Sequence, residues 1–171
     1  MHFLKFLGVP AALLSVALAL FTLPSPARAN TQRWSTPVGL WAPIDKATGK
    51  PLGLISIYEN HGLYYGRIEP TSARDHSAAR CTQCTGSRHD QPIIGLILMR
   101  HLRYKKDGRY VGGDILDPNT GRVYDCELRL IDAGRKLVMR GYIGIPLFGL
   151  SQVWHRVEGT PGGPLRLAGS R

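Results

Sequence analysis

Gly112-Gly113-Asp114-Ile115-Leu116-Asp117-Pro118-Asn119-Thr120-Gly121-Arg122-Val123-Tyr124-Asp125-Cys126-Glu127-Leu128-Arg129-Leu130 is the stretch whose reading decides the fold. After the central turn, Tyr124, Cys126, Leu128 and Leu130 fall on one face, and Asp125, Glu127 and Arg129 on the other. This period of two describes a strand with one buried and one wet face. The turn itself is Asp117-Pro118-Asn119-Thr120-Gly121. An aspartate opens it by accepting from amides ahead, proline presets φ, and glycine accepts a positive φ. The stretch therefore predicts two strands joined by a tight connection.

The same grammar runs outward in both directions. Ile44-Asp45-Lys46-Ala47-Thr48-Gly49-Lys50 repeats the turn formula apolar-Asp-x-x-Thr-Gly-basic between strands expected at 38–41 and 52–59. Asn60-His61-Gly62 reads as a hairpin turn into a strand at 63–69. Residues 70–92 break every pattern and form a long loop, the kind that tends to carry function. An apolar run at 93–99 reads as the next strand, extending towards Tyr104. Further strands are expected at 109–116, 123–130, 136–143 and 150–157, with Gly112 and Gly113 marking a bulge or sharp bend. No useful helical period occurs. About eight antiparallel strands in sequence make a meander, which removes its exposed edges by closing into an up-and-down barrel. A two-sheet β-sandwich is the alternative.

Three parts are expected: a cleaved leader at 1–29, a β-barrel domain at 30–157 and a flexible Gly/Pro/Arg tail at 158–171. Lys5, the apolar run Phe6–Leu23, and Ala27 and Ala29 at the small-residue positions give the leader the form of a signal peptide cut before Asn30. Export to a bacterial periplasm, or secretion, follows as the expected location. The chain carries a formal net charge of +10. That sign suits an anionic envelope component, although the positive residues form no continuous stripe, and no nucleic-acid partner is expected.

Gly39-Leu40-Trp41 opens the first strand and Trp154-His155-Arg156 closes the last. This resembles the lipocalin and calycin barrels, where Gly-x-Trp on the first strand packs under an arginine on the last. Here Arg156 would stack over Trp41, with Gly39 and Trp154 completing the closure. Longer motifs recur in one order: Gly39-Leu40-Trp41, Cys81-x-x-Cys84, Pro92-Ile93-Ile94-Gly95, Gly112-Gly113 with Ile115-Leu116-Asp117-Pro118, Arg140-Gly141-Tyr142-Ile143-Gly144, and Phe148-Gly149-x-x-Gln152-x-Trp154-x-Arg156. Together they resemble the bacterial family known as domain of unknown function 2147, across nearly all of 38–157. Where that family usually has Arg after Gly149, this chain has Leu150. The resemblance implies export and a small β-rich domain, and brings no activity and no catalytic residues.

The candidate sites are few. In an oxidising compartment, Cys81, Cys84 and Cys126 permit one bridge and one leftover thiol. The bridge would lie within Cys81–Cys84 or join one of them to Cys126. The second choice would close a loop of about 40 residues and add on the order of 3–4 kcal/mol. A redox dithiol is a weaker reading because no βαβ pattern surrounds the pair, and a zinc site formed by His76, Cys81, Cys84 and His89 is weaker because no rigid knuckle flanks it. Ser151 and His155 would sit about 13 Å apart along one strand, too far to hydrogen-bond. Asp114 beside the double glycine reads first as support for a bend, and only second as a general base. No catalytic residue, cofactor or metal is assigned. Tyr58, Tyr65, Leu98, Tyr124, Leu137, Met139 and Trp154 are candidates for lining an interior cavity.

Two functional readings result. One is a non-enzymatic exported barrel that binds a small apolar or amphipathic ligand. The other is a structural or interaction protein of the cell envelope that engages an anionic component through its basic surface. An enzyme is the third. The leader is directly testable: the protein recovered from the periplasm should begin at Asn30 by N-terminal mass spectrometry, and a retained Met1 would refute the cleavage.

Overall fold

The structure is a computed structural model that describes residues 34–72, 74 and 78–169. The expected leader at 1–29 and His76 lie outside the described residues. Among the described residues nine strands follow in order: β1 (Gly39–Pro43), β2 (Leu54–Asn60), β3 (Leu63–Glu69), β4 (Ile97–Tyr104), β5 (Arg109–Leu116), β6 (Val123–Ile131), β7 (Lys136–Tyr142), β8 (Leu150–Gly159) and β9 (Leu165–Leu167). Every consecutive pair is antiparallel, and β1 also pairs with β8. That last pairing closes strands β1–β8 into an up-and-down barrel and excludes the sandwich.

Alternation decides what fills it. Trp41, Ile55, Ile57, Met99, Leu102, Tyr110, Ile115, Cys126, Leu128, Leu137 and Trp154 belong to one buried cluster inside the barrel. Each large apolar side chain withdrawn from water contributes about 1.5–3 kcal/mol. Leu40, Ala42, Leu54 and Val157 point the other way and form a smaller cluster with Leu165 and Leu167. This outer cluster explains a departure from the sequence reading. The expected flexible tail instead carries β9, which pairs with β8 at Val157–Gly159. Its two leucines alternate in the short run Leu165-Arg166-Leu167, a signal hidden by the glycines and prolines around it.

A second departure concerns the run at 93–99. The strand begins only at Ile97, and Ile93 to Leu96 form a turn through Gly95. The Gly95 and Ile68 amides donate to the Ile68 and Leu96 carbonyls respectively. Ile93 and Leu96 still pack on the interior cluster, so the apolar run serves as a plug over the barrel rather than as part of its wall.

The two Asp-x-x-Thr-Gly turns are built alike. The Asp45 carboxylate accepts from the Ala47 and Thr48 amides and the Thr48 hydroxyl, and Asp117 accepts from the Asn119 amide and the Thr120 hydroxyl. Gly49 and Gly121 both take φ near +69°. Only the second turn is packed upon: a Cβ at Gly121 would fall 1.8 Å from the Gln83 carbonyl oxygen. The β5–β6 turn therefore serves as the seat for the long β3–β4 loop.

At the opposite end, Arg156 sits in register with Trp41 across the closing seam. Its guanidinium lies 4.2 Å from the Trp41 ring centroid and 5.2 Å from that of Trp34. It donates to the carbonyl oxygens of Gly134, Val38 and Thr36 at 2.7, 2.8 and 2.8 Å. A Cβ at Gly39, whose φ is +137°, would come within 2.6 Å of Arg156 Nη1. Burial pulls the Arg156 pKa down to about 10, so the group stays charged at neutral pH. Lysine at this position would keep the charge but could neither stack as a plane nor reach three diverging carbonyls. Arg156→Lys should cost about 3 kcal/mol, read as a lower urea midpoint at unchanged slope. An unchanged midpoint would remove the closure's energetic role.

Candidate functional site

In an antiparallel meander the β1–β2, β3–β4, β5–β6 and β7–β8 connections emerge at one end. The long loop covers that mouth. Its two cysteines are joined, Cys81 to Cys84, with Cα atoms 5.3 Å apart. A turn closes around them: the Cys84 amide donates to the Cys81 carbonyl, and the Cys81 amide to that of Gln91. Cys81 Sγ lies 3.4 Å from the Pro118 carbonyl oxygen on the β5–β6 turn. Both cysteines are buried, so neither sulfur is accessible for thiol exchange. The bridge also leaves no thiolate for zinc, and His89 Nδ1 instead meets the Cys84 carbonyl at 2.9 Å. Among the described residues, no group of three or more His, Cys, Asp or Glu gathers as a metal site.

Cys126 takes no part in the bridge. It is free and buried inside the barrel. The long-range staple to Cys126 is therefore not formed, because the two loop cysteines already meet across their own turn.

The candidate lining residues divide. Leu98, Leu137 and Trp154 are in the interior cluster, and Tyr124 and Met139 pack against it. Trp154 Nε1 donates to Gln152 on the same face. Tyr58 and Tyr65 do not join them. They pair across β2 and β3 on the outer face, stacked at 5.6 Å, with His101 edge-on to Tyr65. The strand period explains this: Ile57 and Gly66 take the inward positions, which turns Tyr58 and Tyr65 outwards.

Ser151 and His155 belong to separate contacts. Ser151 accepts from Arg140 at 2.8 Å, while burial and then the Lys136 charge hold the His155 pKa below its usual range. They do not form a nucleophile–base pair.

Asp114 is the centre of a cluster that the sequence did not show. It lies opposite Arg100 of β4, just past the register shift at the double glycine. Arg100 donates to both its oxygens at 3.2 Å, and Arg88, from the long loop, reaches Oδ1 at 3.4 Å. His101 Nδ1 is 3.9 Å from Oδ2. Two guanidiniums thus share one carboxylate. Arg88 Nη1 is buried with no hydrogen-bond partner among the described residues. Desolvation, and then the like charge of Arg100, hold the Arg88 pKa below its usual value. Beside this cluster runs a cleft of about 460 Å³, lined by Ser87, Arg88, Gln91 and Arg100 on its polar side, and by Pro92, Ile94, Leu96 and Ile97 on its apolar side. It opens on the outside of the barrel mouth, and none of the interior candidates lines it. Arg88 escaped the sequence reading because an irregular loop has no period. Arg100 escaped because its partnership with Asp114 exists only across strands.

A family described as uncharacterized proteins conserved in bacteria (DUF2147) matches residues 39–156. No curated protein matches the chain. Among solved structures, protein HP1028 from Helicobacter pylori, described as belonging to the lipocalin family, superposes with a TM-score of 0.61 at 17% identity. The match covers 72% of this chain and 84% of that one. At this identity the likeness shows the fold, a lipocalin-like barrel. The family match spans more than half of the chain, and the protein belongs to DUF2147.

Burial pushes the Cys126 pKa up to about 12 from an ordinary 9.0, and that of Tyr110 up to about 12 from 10.0. Both groups therefore hold protons in the fold that the unfolded chain releases. The folded state binds more protons between pH 9 and 12, so stability falls as pH rises through that window. Native protein should resist maleimide at pH 8, and Cys126 should label only at the rate of unfolding. Prompt labelling of the folded barrel would contradict the burial.

Proposed function

We propose, for this member of an uncharacterised bacterial family, an exported non-enzymatic binding barrel whose ligand is small, amphipathic and anionic. The observation that carries this reading is the cleft beside Asp114. Among the described residues, an apolar wall meets two guanidiniums that one carboxylate, Asp114, pairs with, and one guanidinium nitrogen has no partner. A carboxylate or phosphate head would complete the charge balance, while an alkyl tail would lie along Ile94, Leu96 and Ile97. The lipocalin-like fold supports the class of function. The interior supports it less, because the inward side chains pack into one buried cluster. The binding site is therefore assigned to the mouth. Export by the leader expected at 1–29 belongs to this reading, and the Cys81–Cys84 bridge is compatible with an oxidising periplasm.

Thermal shift with a long-chain fatty acid and its methyl ester tests the reading. The acid should raise the melting temperature and the ester should not, and Arg100→Gln should abolish the response to the acid. Equal shifts from acid and ester, or no shift from either, would overturn it.

A further inference from the structure

The mouth carries a second feature, separate from the cleft. The β7–β8 connection and the first residue of β8 present Ile143, Ile145, Leu147, Phe148 and Leu150, each between 53% and 85% exposed. Leu52, from the β1–β2 connection, and Val123, the first residue of β6, are exposed at the same end. So many large apolar side chains left in water forgo about 1.5–3 kcal/mol each, and a cluster of them marks a surface with an occupant.

The backbone of this stretch indicates which occupant. Pro146–Phe148 forms a 3-10 turn, with the Gly149 amide donating to the Pro146 carbonyl at 3.0 Å. The Phe148 and Ile145 amides donate to the Ile145 and Ile143 carbonyls. The Arg140 guanidinium reaches up from β7 and donates to the Pro146 and Leu147 carbonyls at 2.6 and 3.1 Å. Three amides and four carbonyls of the loop are thus paired from within. Each pair lowers the cost of carrying the loop's backbone into an apolar boundary, where little water is available to take its place.

The charge around the loop has the matching sign. Lys46, Lys50 and Arg122 are exposed on neighbouring connections and make no ion pair among the described residues. The nearest carboxylates in sequence, Asp45 and Asp117, are turned into their own turns. An apolar edge beside unpaired cations fits a bilayer with anionic headgroups. No helix among the described residues is long and apolar enough to cross a membrane.

We infer that the exposed 143–150 edge, flanked by Lys46, Lys50 and Arg122, seats the mouth of the barrel on an anionic lipid surface. Phe148 and Leu147 enter the acyl boundary while the cations contact headgroups. This does not depend on the ligand assigned to the cleft.

Co-sedimentation with phosphatidylcholine vesicles, with and without phosphatidylglycerol, tests the inference. The protein should bind the anionic vesicles, and added salt should weaken the binding. Leu147→Asp/Phe148→Asp should reduce binding by on the order of tenfold or more at an unchanged melting temperature. Lys50→Glu/Arg122→Glu should reduce it as well. Phe148→Trp supplies a direct readout, its emission shifting to the blue when anionic vesicles are added. Unmoved emission, or binding that survives the aspartates, would overturn the proposal. So would concentration-dependent self-association that the aspartates abolish without any vesicle binding, because a second copy would then be the occupant.

Discussion

Closure of the barrel depends on one buried cation. Arg156 holds the Trp41 indole face on β1, two carbonyl oxygens in the lead-in to β1 (Thr36 and Val38) and one in the β6–β7 turn (Gly134). Left unpaired, any of these polar groups would oppose burial. Joined, they fix the start of the chain against its last long strand, and every strand between must then close the circle. The charge is tolerated because each of its three nitrogens donates a hydrogen bond and its flat face lies against an indole. Gly39 is the counterpart: its missing side chain is the space that Nη1 occupies.

The other end is organised differently. No single side chain seals it. A loop rich in polar residues is drawn together by its own short bridge, rests on the β5–β6 turn at Gly121, and sends Arg88 back to a carboxylate on the barrel wall. The apolar run from Ile93 to Leu96 fills the opening from inside this loop. The closed end therefore owes its form to packing around a cation, and the mouth owes its form to an irregular segment held at a few points.

This difference explains what could be read from the sequence. Strand β6 follows from period-two alternation, β3 from the Asn-His-Gly turn that precedes it, and the two Asp-x-x-Thr-Gly turns from their own chemistry, because these signals are local. The Gly-x-Trp and Trp-x-Arg pair is non-local but carries its own signature. The site at the mouth has none. Asp114 drew notice for its neighbouring glycines, yet its partners come from another strand and from a loop. Tyr58 and Tyr65 show the cost of choosing lining residues by type: their neighbours Ile57 and Gly66, one step along each strand, take the inward places. The run at 93–99 shows that apolar content establishes burial without establishing extension.

The spacing of the bridged cysteines has one more implication. A link between residues only three apart restricts a single turn, and so withdraws little freedom from the unfolded chain. The barrel proper should therefore assemble whether or not its surroundings are oxidising, through side-chain packing and the cation at its base. Oxidation would act later and elsewhere, as a finishing step that sets the shape of the lid. Forming the bridge then bears on the shape of the loop, not on whether the barrel folds.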